Sequence, residues 1–152
     1  MRPAEHCWYK GKAAMRIKLI APTEKKVSDD FTATTPGALL LELAPSAGTR
    51  KYNWENKNTI AISPQELAII EYNRLAGKET KLFHDPNMKG EKQGQVTKSL
   101  YVKLTESNGF AFTLSVKANG KTNNVSIVLS QEEYFLFREL TLAAIPYLYA
   151  WT

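Results

Sequence analysis

Residues 9–19 read YKGKAAMRIKL, and they alternate. Tyr9, Gly11, Ala13, Met15, Ile17 and Leu19 share one parity, while Lys10, Lys12, Ala14, Arg16 and Lys18 share the other. A period of two between apolar and polar positions predicts one half-buried β-strand. Its polar side carries four cations at two-residue spacing. Like charges so placed repel, and the arrangement costs stability unless an anion faces it. Two readings stay open. A phosphate backbone would supply the anion, or the lysines guard an edge strand against pairing. Gly11 marks either a bulge or a place where another backbone or a ligand comes close.

The charge surrounding this strand is localised. Residues 1–26 hold seven bases and two acids, which is the whole of the net charge of +5 on 152 residues. A basic stripe on an otherwise neutral domain is the footprint of a polyanion partner or a solvated face. The segment has no apolar stretch, so it does not read as a secretory signal. It reads as part of the folded domain, with no transit peptide in this sequence. One cysteine, Cys7, makes no internal disulfide, and with His6 and His84 it is too small a set for a structural zinc site. No metal, no cofactor and no catalytic role is expected. With 43% apolar residues the chain is no disordered tail, and at this length about two thirds of its surface can be buried in one domain spanning residues 1–152. No uncharged run is long enough to span a membrane.

Further along, residues 22–35 read as an irregular polar connection. Residues 37–44, GALLLELA, form a nearly continuous apolar run suited to a strand buried on both faces. Pro45 to Gly48 reads as a turn. Residues 49–62 alternate, with Tyr52, Trp54, Ile60 and Ile62 on one parity and a kink at Asn56–Asn58. Ser63, Pro64 and Glu66 make a capping box that opens a helix running to about Ala76 and stopping at Gly77. A short strand at Thr80–His84 precedes a turn at Asp85–Asn87 and a polar loop, Met88–Gln95. Strands follow at Val96–Thr105, from Phe110, and up to Leu129. They are joined by turns at Ser107–Gly109 and across Lys117–Asn124. Alternation assigns Phe110 and Phe112 to the core. The His84-Asp85 pair has no nucleophile or metal set beside it and reads as structural.

A second capping box, Ser130 to Glu133, opens a helix from Gln131 to about Tyr147. Its apolar residues do not fit one stripe. A helix apolar all round is buried on all sides, which points to a subunit interface at Tyr134, Phe137, Leu140, Thr141, Ala144 and Leu148. Arg138, Glu139 and Pro146 argue against membrane insertion. The chain thus reads as strands, helix, strands, helix, the same unit written twice.

At this point several motifs resemble one known family. Tyr9 to Met15 resembles the KGKAAL signature of the Whirly family of plant single-stranded DNA-binding proteins, with Met15 in place of leucine. The likeness continues at Leu43–Gly48, Arg50–Trp54, Phe83–Asn87 and Pro146–Trp151. The motifs keep the family's order across nearly the whole chain, while Ser28–Pro36 and Met88–Gln95 depart from plant members. The resemblance implies an α+β fold: two four-stranded antiparallel sheets packed roughly perpendicular, each followed by a helix. It implies a homotetramer with the helices central, and larger assemblies on long DNA in which the signature strand takes part. It also implies location in mitochondrion or chloroplast, sequence-tolerant binding of single-stranded DNA, protection and accurate repair of organellar DNA, and transcriptional regulation in some members. Related mitochondrial proteins bind RNA, which gives an RNA-annealing alternative. A structural protein-interaction module is the other.

Sequence-tolerant grip on a single strand needs a cationic track and aromatic platforms. The candidate cations are Lys10, Lys12, Arg16, Lys18, Lys57, Lys81, Lys98 and Lys103. The candidate platforms are Trp8, Tyr9, Tyr52, Trp54 and Tyr101. Trp8 and Tyr9, at the start of the basic strand, are the preferred contacts.

Overall fold

The computed structural model describes residues 5–85 and 95–151. Expectations for Arg2, Pro86, Asn87, most of the loop Met88–Gln95 and Thr152 lie outside those residues.

The basic segment is a hairpin, not the single strand its alternation suggested. β1 (Glu5–Tyr9) turns at Lys10–Lys12 into β2 (Ala13–Ile20), pairing Trp8 with Met15 and Tyr9 with Ala14. Lys10 N–H donates to Ala13 C=O at 3.0 Å to close the turn. Nothing lies within 4 Å of where a Cβ on Gly11 would stand, so this glycine sits in an open turn that no other backbone of the chain approaches. The turn also reverses the facing of β1. Trp8 points to the core and Tyr9 to solvent.

Where an irregular connection was expected, β3 (Thr23–Ser28) and β4 (Phe31–Thr35) make a two-stranded ribbon. It continues the pairing of β2 with β5 (Ala38–Gly48), which runs from Ala13 opposite Pro45 to Ile20 opposite Ala38. β5 is the central strand its apolar run implied, with Leu39, Leu41 and Leu43 buried on one face and Glu42 and Ala44 on the other. It continues through Pro45 to Gly48 instead of turning there. Gly48, at φ +133°, leads into the actual turn at Thr49–Arg50. β6 (Lys51–Tyr52), a 3-10 turn at Trp54–Asn56 and β7 (Asn58–Ile62) then pair back along β5. The expected kink at Asn56–Asn58 is this 3-10 turn and the step out of it.

Helix α1 (Pro64–Leu75) begins as its capping box required. Ser63 Oγ accepts from Glu66 N–H at 3.1 Å, and Glu66 Oε1 accepts from Ser63 N–H at 3.0 Å. It ends where Gly77, at φ +70°, lets the chain enter the left-handed conformation. A four-stranded antiparallel sheet follows, ordered β11-β10-β9-β8: β8 (Thr80–His84), β9 (Val96–Leu104), β10 (Phe110–Ala118) and β11 (Lys121–Leu129). The second hairpin turn is only Asn119-Gly120. Both have positive φ, which matches the twist of the flanking strands. The rest of the expected turn is strand. Helix α2 (Gln131–Leu148) starts at the second capping box and continues past Pro146.

The two sheets face each other across one core. Met15, Leu41 and Ile60 from the first meet Leu100, Phe112 and Leu114 from the second. Asn58 is a buried polar tie between them. Its buried amide donates to Leu114 C=O and Asn123 C=O, both at 2.9 Å, and accepts from Asn123 Nδ2 at 3.1 Å. α2 closes the core with an aromatic cluster. Tyr134 stacks on Phe110 with ring centroids 3.9 Å apart, and Phe137 meets Phe112 edge-on at 5.0 Å and Trp8 at 6.1 Å.

This packing corrects the interface expectation. Tyr134, Phe137, Thr141, Ala144 and Leu148 recur at three- and four-residue steps and are all buried in the chain's own core. Of the predicted interface residues Leu140 alone is exposed, and it joins Phe135, Leu136 and Tyr147 in a second apolar surface outside the buried stripe. α1 adds Ile69, Tyr72 and Leu75 to the exposed apolar surface. All-round apolarity is therefore two faces with two destinations. Among the described residues no helix is long and apolar enough to cross a membrane.

An ion pair locks α1 to α2. Glu71 accepts from Arg74 Nε at 2.9 Å within α1 and from Arg138 Nε of α2 at 2.8 Å. Burial alone would raise the Glu71 carboxyl above the ordinary 4.5, but the hydrogen bonds and charges of Arg74 and Arg138 outweigh it and hold the group lower. A depressed carboxyl stabilises fully above its unfolded value and loses that contribution as pH falls through the folded one. Glu71→Gln is expected to cost about 1–2 kcal/mol at neutral pH, discounted for partial solvent screening. Urea unfolding at neutral pH and at about pH 3 checks this. The gap between the variant and the wild type should shrink on acidification.

Candidate nucleic-acid interface

The outer face of the first sheet is where the predicted cations meet. Register sets it. Arg16 on β2 lies opposite Glu42 on β5, and Glu42 lies opposite Thr59 on β7. Glu42 is 1% exposed. Its Oε1 accepts from Arg16 Nε at 2.8 Å and has Lys18 Nζ at 3.7 Å, and its Oε2 accepts from Lys57 Nζ. Burial pushes the Glu42 carboxyl up. The hydrogen bonds and charges of Arg16 and Lys57 push it down by more, so it stays ionised. The same bond raises the Arg16 guanidinium further. The anion that the basic strand called for is thus inside the protein.

Aromatic side chains frame this cluster. The Arg16 guanidinium carbon sits 4.2 Å from the Trp54 ring centroid, within cation–π range. Asn53 Oδ1 caps the 3-10 turn that presents Trp54, accepting from Asn56 N–H at 3.3 Å. Tyr9, 64% exposed, lies beside Tyr52 with ring centroids 5.6 Å apart. Tyr52 Oη donates to Lys10 C=O at 2.5 Å, tying β6 to the β1–β2 turn. Tyr52 and Trp54 therefore serve the outer face, although their parity matched the core residues Ile60 and Ile62. The 3-10 turn breaks the alternation between the two pairs. Lys98 reaches the same region from β9, donating to Thr59 Oγ1 at 3.3 Å. Burial pushes its ammonium down.

Other predicted positions go elsewhere. Trp8 is 5% exposed and packs on Phe137, so it offers no free ring face. This corrects its choice as a preferred contact. Lys10 is engaged at 2.6 Å by Glu133, the same carboxylate that completes the α2 capping box. Lys12 is exposed in the turn. Lys81, Tyr101 and Lys103 lie on the outer face of the second sheet. Their neighbours Leu100 and Val102 point to the core, so these three face away from the first sheet. Lys81 Nζ is 5.5 Å from the Tyr101 ring centroid, and exposed Phe83 shares their face. The candidates thus form two surfaces rather than one track. His84 Nε2 is 2.7 Å from Glu66 Oε2, fastening β8 to the start of α1.

Sequence reasoning missed Glu42, the centre of the first surface. The available signal was a lone acid inside the apolar run of residues 37–44, beside a strand whose cations lacked a counter-ion.

Comparison with known proteins agrees with this architecture. A family model described as Whirly transcription factor matches residues 8–140. The mitochondrial single-stranded DNA-binding protein WHY2 of Arabidopsis thaliana is 31% identical over 97% of this chain and 63% of its own length. The chloroplastic single-stranded DNA-binding protein WHY3 of the same plant is 35% identical over 97% of this chain and 56% of its own length. The chain therefore spans between about half and two thirds of these relatives. The crystal structure of WHY1 from Arabidopsis thaliana superimposes with a TM-score of 0.88 at 28% identity, covering 99% of this chain and 88% of that one. With the family model spanning most of the chain and relatives above 30% identity along nearly all of it, the chain belongs to the Whirly family.

Proposed function

We propose that this protein binds single-stranded DNA in mitochondria or chloroplasts, with little sequence preference, as a homotetramer. One observation carries the reading: Arg16, Lys18 and Lys57 converge on one sheet face beside Tyr9, Tyr52 and Trp54. Cations to follow a backbone and rings to receive exposed bases are the two parts that sequence-tolerant binding requires. The names of the similar proteins support the ligand and the compartment. Protection and repair of organellar DNA, and transcriptional regulation, extend the same reading. Lys81, Tyr101 and Lys103 would serve a strand that continues onto another subunit. The tetramer would draw on the exposed apolar residues of α1 and α2.

Binding of oligo(dT) and of duplex DNA, each at several salt concentrations, tests the ligand. Single strands should bind more tightly. Lys57→Ala, which leaves Glu42 satisfied by Arg16 and Lys18, should make the log–log salt slope shallower by about 0.7. Trp54→Ala should weaken binding by about 1–3 kcal/mol. Equal affinity for duplex and single strand sinks the reading, and preference for RNA of the same sequence turns it toward annealing of transcripts.

Assembly has its own check by light scattering. Leu140→Glu should lower the particle mass while leaving the fold intact. Phe137→Ala should instead cost about 3–5 kcal/mol of stability through a core cavity. An unchanged mass for Leu140→Glu places the subunit contact elsewhere.

A further inference from the structure

Glu42 is a puzzle for a polyanion-binding face. A carboxylate there removes charge that phosphate contacts would otherwise use, and it lies 1% exposed beneath three cations. The partners come from separate parts of the first sheet: Arg16 and Lys18 from β2, and Lys57 from the residue before β7. Lys18 also has Glu5 of β1 at 4.0 Å, so the three cations and two carboxylates leave one net positive charge. The two carboxylate oxygens divide the partners, Oε1 toward Arg16 and Lys18 and Oε2 toward Lys57. That is the fork two non-bridging phosphate oxygens would present. Arg16 is held from one side by Oε1 and covered by the Trp54 ring 4.2 Å away. Its guanidinium is therefore more restricted than that of a free arginine on a sheet surface. A guanidinium plane fixed on an indole is itself a surface on which a base stacks.

We propose that Glu42 is a positioning residue of the single-strand site: its buried carboxylate stands in for a phosphate, pinning Arg16 on Trp54 and aiming Lys18 and Lys57. This rests on the reading of this sheet face as the single-strand site. Under it, the protein exchanges one unit of charge for a preformed platform. The strand then meets side chains whose ordering entropy was lost on folding rather than on binding.

The test is anisotropy of labelled oligo(dT) on the assembled wild type, Glu42→Gln, Lys57→Gln and the double variant, across a salt series. Glu42→Gln frees one cation, so its log–log salt slope should steepen by about 0.7. At high salt, where charge is screened, it should bind roughly tenfold more weakly, the effect of a lost charge-assisted hydrogen bond. The double variant restores the wild-type net charge. Its slope should return to the wild-type value while its high-salt binding stays roughly tenfold weaker than that of Lys57→Gln alone. If Glu42→Gln does not fold, the double variant decides alone, having fewer unbalanced cations. Slope and high-salt affinity unchanged by removal of the carboxylate, in either background, overturn the proposal. Wild-type protein that ignores oligo(dT) overturns the functional reading as well. Wild-type protein that binds, with an indifferent Glu42→Gln, overturns the positioning role only.

Discussion

The register of β2 on β5 is the constraint from which the rest follows. Arg16 stands opposite Glu42, so Met15 and Ile17 stand opposite Leu43 and Leu41. One pairing therefore aligns the core face and the charged face together. Because side chains alternate with a period of two, a slip by one residue would move the leucines of β5 outward and drive Glu42 into the core. The cost would be large on both faces at once, from lost apolar burial and from an unpaired charge. The buried carboxylate is therefore tied to register as well as to charge. One pairing thus fixes the sheet on both of its faces.

The same logic explains what the sequence made legible. Elements whose signal is local came through: both capping boxes, the stop at Gly77, the strand at Thr80–His84 and the buried character of residues 37–44. Their order read as strands, helix, strands, helix, while the fold class and the family came from the resemblance carried by motifs such as Tyr9–Met15 and Pro146–Trp151. What failed depended on turns and on partners distant in sequence. Alternation ran smoothly through Lys10–Lys12 in sequence, whereas the turn pairs Trp8 with Met15 and so shifts β1 to the opposite parity. The smooth alternation hid the reversal which sends Trp8 inward and Tyr9 outward. Tyr52 and Trp54, both candidate platforms, lie at the outer face despite sharing parity with Ile60 and Ile62, because the 3-10 turn that begins at Trp54 interrupts the alternation. The cations of β2 looked unpaired because their anion is contributed by β5, 26 positions away from Arg16.

Helix α2 illustrates a further ambiguity. Periodicity gives the apolar positions of a helix but not what covers them. An all-round apolar helix was read as interface, and its most regular stripe was assigned to the subunit contact. That stripe is the one the chain keeps for itself, because the regular step from Tyr134 to Leu148 is what lets a helix lie on a twisted sheet. Phe135, Leu136, Leu140 and Tyr147 are left in solvent, and of these only Leu140 belonged to the stripe assigned to the subunit contact.

Lys10 shows how closely the charged face and the helix are joined. Its ammonium goes to Glu133, its carbonyl accepts from Tyr52, and its N–H closes the hairpin turn. Glu133 in turn accepts from Ser130 N–H at 2.9 Å to cap α2. The basic turn is thus held by the start of the helix whose other side carries exposed apolar residues. Only Lys12, at the tip of that turn, keeps its side chain exposed. Within a basic tripeptide, position rather than composition separates the lysine that builds the fold from the lysine left available to a partner.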